Sequence, residues 1–172
     1  MSALKVEGLR VVIGDRPVVD GVSITVEPGE CLAIVGESGA GKSMIAHALL
    51  GLVPAGAAVT ADTLEVDGVE LRASDERAWR DVRGSRIALV SQDALVSLDP
   101  FRRIGREIEE PLEIHRVGPR AERLRRAELA LEAVAMPDVP RRMQAYSHEL
   151  SGGLRQRALI AAALVTEPRI VI

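Results

Sequence analysis

Between two apolar runs the chain reads Gly36-Glu37-Ser38-Gly39-Ala40-Gly41-Lys42-Ser43. The run before it, Cys31 to Val35, has the continuous apolar character of a strand buried on both faces of a parallel sheet. The run after it, Met44 to Leu52, is spaced as a helix that ends near Gly51 and Pro54. The pattern Gly-x-x-x-x-Gly-Lys-Ser is a P-loop. Backbone N–H groups converge on phosphate oxygens only where no Cβ blocks the approach, so the turn needs glycines. The helix behind it aims its N-terminus at the same anion and adds about half a positive charge. A lysine at position 42 reaches the β- and γ-phosphates, and a serine hydroxyl at 43 can ligate Mg²⁺. Lysine occurs elsewhere only at Lys5. Chance would match the four fixed positions in about one of a thousand such chains, so the loop is read as a nucleotide site, not a ligand-free glycine turn.

The 172 residues suffice for a domain with a real core, and 47% hydrophobic with 27% charged residues is ordinary for a globular chain. Aromatics are only 2%, which leaves the core to Val, Leu, Ile and Ala. A net charge of -3 argues against a general nucleic-acid binder. The single Cys31, inside the apolar run, is expected to be a buried small residue and not a ligand or nucleophile. The opening Met1-Ser2-Ala3-Leu4-Lys5 lacks a signal-peptide layout, and no segment approaches ~18 uninterrupted apolar residues.

Residues 4–35 are expected to be β-rich. Alternation runs from Val6 to Ile13, Gly14 to Pro17 forms a turn, and Val22, Ile24 and Val26 alternate again. The Ala/Gly-rich stretch 55–62 reads as a loop. Leu64-Glu65-Val66, Asp67-Gly68, Val69-Glu70-Leu71 is a hairpin signal. Ser74 to Arg83 has helical spacing, and Ile87 to Val90 is a short buried strand that delivers Ser91 and Gln92 to its end. From 101 to 145 Arg and Glu interleave with Leu, Ile and Ala, as in helices. Glu122 to Val134 places Leu124, Leu131 and Val134 on one side. Its arginines, Arg123, Arg125 and Arg126, have two readings, an anion site or a solvated face with Glu122, Glu128 and Glu132. The second is the simpler. Leu154 to Val165 forms a last helix, and Pro168 stops it before the apolar Arg169-Ile170-Val171-Ile172.

Ser151-Gly152-Gly153 opens that last helix. A hydroxyl and two glycines at a helix N-terminus repeat the phosphate-facing recipe without a lysine. Taken alone, they also fit a plain N-cap.

Taken in order, the P-loop, a strand ending in Gln92, a helical insert and Leu150-Ser151-Gly152-Gly153-Leu154-Arg155-Gln156-Arg157 resemble the ATP-binding cassette (ABC) ATPases, the motor subunits of ABC transporters. The resemblance covers the whole chain. It narrows to peptide and nickel importers through Val90-Ser91-Gln92-Asp93, Ser97-Leu98-Asp99-Pro100, Glu110-Pro111-Leu112 with His115, and Tyr146-Ser147-His148-Glu149 before the signature. The fold it implies is α/β, a P-loop NTPase. Residues 1–92 would be a RecA-like core with an antiparallel β-subdomain, 93–165 an α-helical subdomain carrying the signature, and 166–172 the start of the Walker B strand.

The resemblance also implies roles. Gly36, Glu37, Ser38, Gly39, Ala40, Gly41, Lys42 and Ser43 would hold ATP. Ser43 and Gln92 would hold Mg²⁺, and Gln92 would help position the attacking water. Ser151, Gly152 and Gly153 would close over the γ-phosphate of a second cassette, identical or related, in a head-to-tail dimer. Further partners would be transmembrane permease subunits and, indirectly, a solute-binding protein, with the subunit peripheral at the cytoplasmic face of the membrane. His148 is expected to be a structural or interface residue, because the family's switch histidine falls beyond Ile172. Three departures stand out. Ile13 occupies the usual adenine-stacking aromatic position, and stacking is worth roughly 1–3 kcal/mol per base elsewhere. Leu154 replaces the usual glutamine. The Walker B aspartate, the catalytic glutamate and the switch histidine are not among residues 1–172. Two alternatives accompany this reading: a non-catalytic cassette that only binds nucleotide, and a soluble ABC ATPase outside transport.

Overall fold

The computed structural model describes residues 2–72, 75–92 and 97–172. Expectations that involve Met1, Ser74 and Asp93 therefore fall outside the described residues. The chain divides into two compact units, Met1–Ile87 and Ala88–Ile172.

In the first unit, β1 (Leu4–Ile13) and β2 (Arg16–Val26) form an antiparallel hairpin, with Leu4 opposite Val26 and Ile13 opposite Arg16. The inward set is Leu4, Val6, Leu9 and Val11. Simple alternation would put Gly8 inside. The register instead shifts between Val6 and Leu9, where Gly8 takes φ 63. Such a bulge returns the larger side chain to the core. The other edge of β1 is shared. β4 (Thr63–Val66) pairs with Leu4–Glu7, and β3 (Ala57–Thr60) pairs with Arg10–Ile13. The stretch read as a loop at 55–62 thus contains a strand. Two alanines carry little strand preference of their own, and the open half of β1 recruits them. β5 (Val69–Glu70) closes the expected hairpin through Asp67 and Gly68, both at positive φ (48 and 78).

Helix α1 (Lys42–Ala48) starts two residues earlier than its spacing implies and stops sooner. Its exit is a turn in which Leu52 N–H donates to His47 O (2.8 Å) and Gly51 sits at φ 61. That 6→1 bond is a Schellman closure, so glycine ends the helix where periodicity would have run on. Helix α2 (Glu76–Val82) is capped by Asp75, whose Oδ1 accepts from Ala78 N–H at 3.0 Å. Arg83 joins the two helices. It donates to Leu50 O (2.6 Å) and Gly51 O (3.0 Å), and its guanidinium lies 5.4 Å from the centroid of the buried Trp79 ring.

The second unit carries a two-stranded sheet, β6 (Ile87–Ala88) with β7 (Ile170–Val171). Ile172 bridges Ala88 O (2.9 Å) and Val90 N–H (2.7 Å), the pattern of a parallel ladder. Its helices are α3 (Ile104–Ile114), α4 (Arg120–Ala133), α5 (Val139–Gln144) and α6 (Gly152–Leu164). Ile104, Ile108 and Leu112 of α3, Ala127 and Leu131 of α4, and Ala158 and Ala161 of α6 are fully buried in one apolar cluster. Small residues let the backbones approach. A Cβ on Gly105 would stand 2.9 Å from Met143 O of α5.

The face of α4 is not simply solvated. Glu109 of α3 is fully buried and meets Arg106 (2.6 Å), Arg123 (3.4 Å) and Arg120 (3.8 Å). The Arg123 side chain is 14% exposed and also faces Glu113, whereas Arg126 pairs on the surface with Glu122. A buried carboxylate needs compensation, and α4 supplies it across the helix interface. Helical spacing identified the face but not its partner.

Glu107 predicts a pH effect. Its side chain is 11% exposed and lies 3.2 Å from Arg102 Nε, without hydrogen-bond geometry at Oε1. Burial pushes its carboxyl above the ordinary range, against the pull of Arg102. The folded state therefore holds this proton more tightly than the unfolded chain does. Between the unfolded value and the raised folded one, stability falls as pH rises. Glu107→Gln imitates the protonated form. It should be the more stable protein at pH 7, and its advantage should fade as both are taken below about pH 4. Urea midpoints at the two pH values test this, and an advantage independent of pH would refute the assignment.

Candidate nucleotide-binding site

The loop and the start of α1 lie in the first unit. Ala40 N–H donates to Glu37 O (3.2 Å) and closes the turn, and Gly39 and Gly41 take φ 84 and 88. Gly41 is the N-cap of α1, and a Cβ on it would stand 2.7 Å from Val18 O of β2. Only glycine satisfies both that backbone angle and that approach. The Lys42 ammonium turns back over the loop and donates to Gly36 O (2.8 Å) and Glu37 O (2.7 Å). Ser43 follows on the first turn of α1 with its side chain exposed. That turn contains no acidic residue, although the first turns of α2, α3 and α4 contain Glu76, Glu107 and Glu122. The positive end of α1 is thus left uncompensated, with a cation folded onto it. Together with glycine angles that open the backbone, this is a donor set that fits an oligophosphate.

The run before the loop departs from expectation. Cys31 to Val35 is not a strand in the structure. Leu32, Ile34 and Val35 are 49%, 41% and 87% exposed, and Cys31 is exposed as well. Strand character needs a neighbour to supply the ladder, and none of the described strands pairs with this run. Ile13 lies at the tip of β1, 39% exposed.

Gln92 and the segment 151–153 belong to the second unit. Gln92 is exposed, two residues past Val90, whose amide is tied to Ile172. Ser151 is the N-cap of α6 by position (φ -65, ψ 162), but its side chain makes no capping bond. The plain N-cap reading therefore has no bond to stand on. Gly152 and Gly153 are exposed, and an added Cβ at either would meet nothing within 4 Å. Neither glycine is required by the chain's own packing. The first turn of α6, like that of α1, has no acid.

The lead-in is closed by its own contacts. Ser147–Glu149 forms a 3-10 turn, closed by the Glu149 carboxylate accepting from Tyr146 N–H (2.7 Å). The exposed His148 stacks on Tyr146, with ring centroids 5.6 Å apart and planes at 9°. That stack is a structural contact, consistent with the expectation for His148. Arg155, which sequence reasoning did not single out, donates through Nε to Ser147 O at 2.7 Å. Its place one helical turn after Ser151 was the available signal. Among the described residues no cluster of three or more His, Cys, Asp or Glu side chains is arranged to hold a metal.

A loop of this geometry at the head of a helix defines the class, a P-loop nucleotide-binding fold. The dimeric structure of a bacterial ABC transporter cassette matches with a TM-score of 0.82 at 25% identity, over 98% of this chain and 72% of that one. A post-hydrolysis state of that cassette, bound to ADP and Pi, matches equally. The chain belongs to the ABC transporter family, whose sequence model matches residues 19–172. It is 38% identical to the dipeptide transport ATP-binding protein DppD of Escherichia coli (strain K12), over 100% of this chain and 54% of that protein. It is 41% identical to DppD of Lactococcus lactis subsp. cremoris, over 92% and 46%. The chain spans about half the length of these relatives.

Proposed function

We propose that this chain is the nucleotide-binding part of an ABC transporter ATP-binding subunit that energises uptake of peptides, with dipeptides or oligopeptides ahead of nickel. The relatives named for dipeptide transport support the peptide arm. The observation that carries the reading is that two acid-free helix starts carry glycine, α1 with Gly41 as its N-cap and α6 with Gly152 and Gly153 as its first residues. One holds Lys42, and the other presents Gly152 and Gly153 to open space. Residues 1–92 are assigned to the core with its β-subdomain, 93–165 to the helical subdomain and 166–172 to the returning strand.

ATP with Mg²⁺ supplies the transferable γ-phosphoryl group and its neutralising metal. The chain's own residues then act by position. Gly36 to Gly41 present amides to the phosphates, and Lys42 exchanges its two loop carbonyls for phosphate oxygens. Ser43 and Gln92 are assigned to the metal, and Gln92 also to orienting water. Ser151, Gly152 and Gly153 are assigned to the nucleotide of a second cassette, head to tail. Ile13 offers adenine an aliphatic surface instead of a ring, which weakens the base contact. Permease subunits are assigned the transport path; no helix of the described residues is long and apolar enough to cross a membrane. The subunit is placed at the cytoplasmic membrane face.

Residues 1–172 do not include the acids that the family places after β7. The chain by itself should bind Mg·ATP weakly and turn it over negligibly. Calorimetric titration of the purified chain, with phosphate release followed in parallel, tests both statements. Robust turnover that depends on Lys42 would overturn the second, and no binding at millimolar ATP would overturn the site itself.

A further inference from the structure

Gly152 and Gly153 pose a mechanical problem. Nothing within 4 Å would touch a Cβ on either, so side-chain packing does not clamp the first turn of α6 in which they lie. Glycine gives up the most conformational freedom on ordering. An anion site that stabilises developing charge must nevertheless hold its donors in place before the anion arrives.

The structure answers with one side chain. Arg155 contacts two carbonyls four residues apart. Its backbone N–H donates to Ser151 O (2.9 Å), and its Nε donates to Ser147 O (2.7 Å). Ser147 is buried, and its carbonyl also accepts from Leu150 N–H (3.2 Å). The far end of the lead-in is pinned in turn. Glu149 holds Tyr146 N–H, Tyr146 bridges to Arg103, and Ile104 N–H donates to Ala145 O (2.9 Å). Ser151 therefore stands between a closed turn and the first turn of α6, which holds Gly152 and Gly153, and the Arg155 side chain reaches back from that helix to Ser147 O.

We infer that Arg155 is a positioning residue, which sets the orientation of the Ser151, Gly152 and Gly153 amides toward the phosphate of a partner cassette. It acts through the backbone and does not touch the nucleotide. This rests on the assignment of 151–153 to that phosphate. The charge of Arg155 is not the point; the donor that spans from α6 to Ser147 is. Lysine can make the same span with one donor, whereas methionine fills the same length and donates nothing.

The test uses the subunit extended to the length of its relatives. Arg155→Met should lower kcat about tenfold, the scale of one lost positioning hydrogen bond. The Kd of the monomer for a fluorescent ATP analogue at its own P-loop should stay within about twofold. Arg155→Lys should keep at least about half of the wild-type kcat. Ser151→Tyr is the control, since a bulky ring over the amides must block any phosphate there. If Ser151→Tyr leaves kcat intact, the assignment of 151–153 fails. If Ser151→Tyr abolishes turnover and Arg155→Met does not change it, the positioning role fails and the assignment survives. Parallel losses of kcat and P-loop affinity in Arg155→Met would mark a general structural defect and also overturn the inference. Should Arg155→Met not fold, Arg155→Lys decides, and a kcat loss beyond tenfold counts against the proposal.

Discussion

Lys42→Ala should reduce ATP turnover of a subunit extended to the length of its relatives by about 10²–10³-fold, the effect of removing one preorganised charge from a phosphate site. The same substitution in the present chain should abolish measurable Mg·ATP binding. The fold should scarcely notice. The Lys42 bonds to Gly36 and Glu37 are exposed, and water can replace the ammonium on both carbonyls. A stability change within about 0.5 kcal/mol is expected by urea denaturation. The combination is diagnostic. A variant that lost binding and several kcal/mol together would mean that Lys42 is a structural clasp, and the phosphate assignment would go with it.

Gly41→Ala should be the most damaging single methyl in the loop. The residue takes φ 88, and the new Cβ would stand 2.7 Å from the Val18 carbonyl. The left-handed angle alone costs roughly 1–2 kcal/mol. The contact is with backbone and cannot be relieved by a rotamer change, so β2 or the loop must move. The total should reach about 2–4 kcal/mol, a large fraction of a domain's stability. Gly39→Ala is the matched comparison. It has a similar angle, φ 84, but nothing within 4 Å. It should lose only the angular strain. Thermal melts of the two variants separate the terms, and equal losses would show that the approach of β2 to the loop is not a constraint.

The loop was legible because phosphate chemistry dictates residue types at fixed spacing. Glycines, a lysine and a hydroxyl have few other reasons to occur in that order. The β1–β2 and β4–β5 hairpins were legible from alternation and from Asp67-Gly68, which are local properties. What escaped was set by neighbours. Ala57–Thr60 becomes a strand because β1 offers it an edge. Cys31 to Val35 has a strand's composition without a partner. Arg123 resembles any surface arginine until Glu109 is placed beneath α4. Arg155 shows its role only once Ser147 O is seen within reach. Local chemistry reads directly from sequence, whereas pairing across elements does not.

The exposed Leu32, Ile34 and Val35 have a consequence for handling the material. A short apolar stretch with available backbone groups is an adhesive site between molecules. Glu30 and Glu37 stand at its two ends as like-charged gatekeepers. Colloidal behaviour should therefore follow the ionic medium: clear solutions when dilute and low in salt, haze as salt screens those carboxylates. The thiol of Cys31, at the edge of the stretch, would then convert loose clusters into covalent ones wherever reductant runs out.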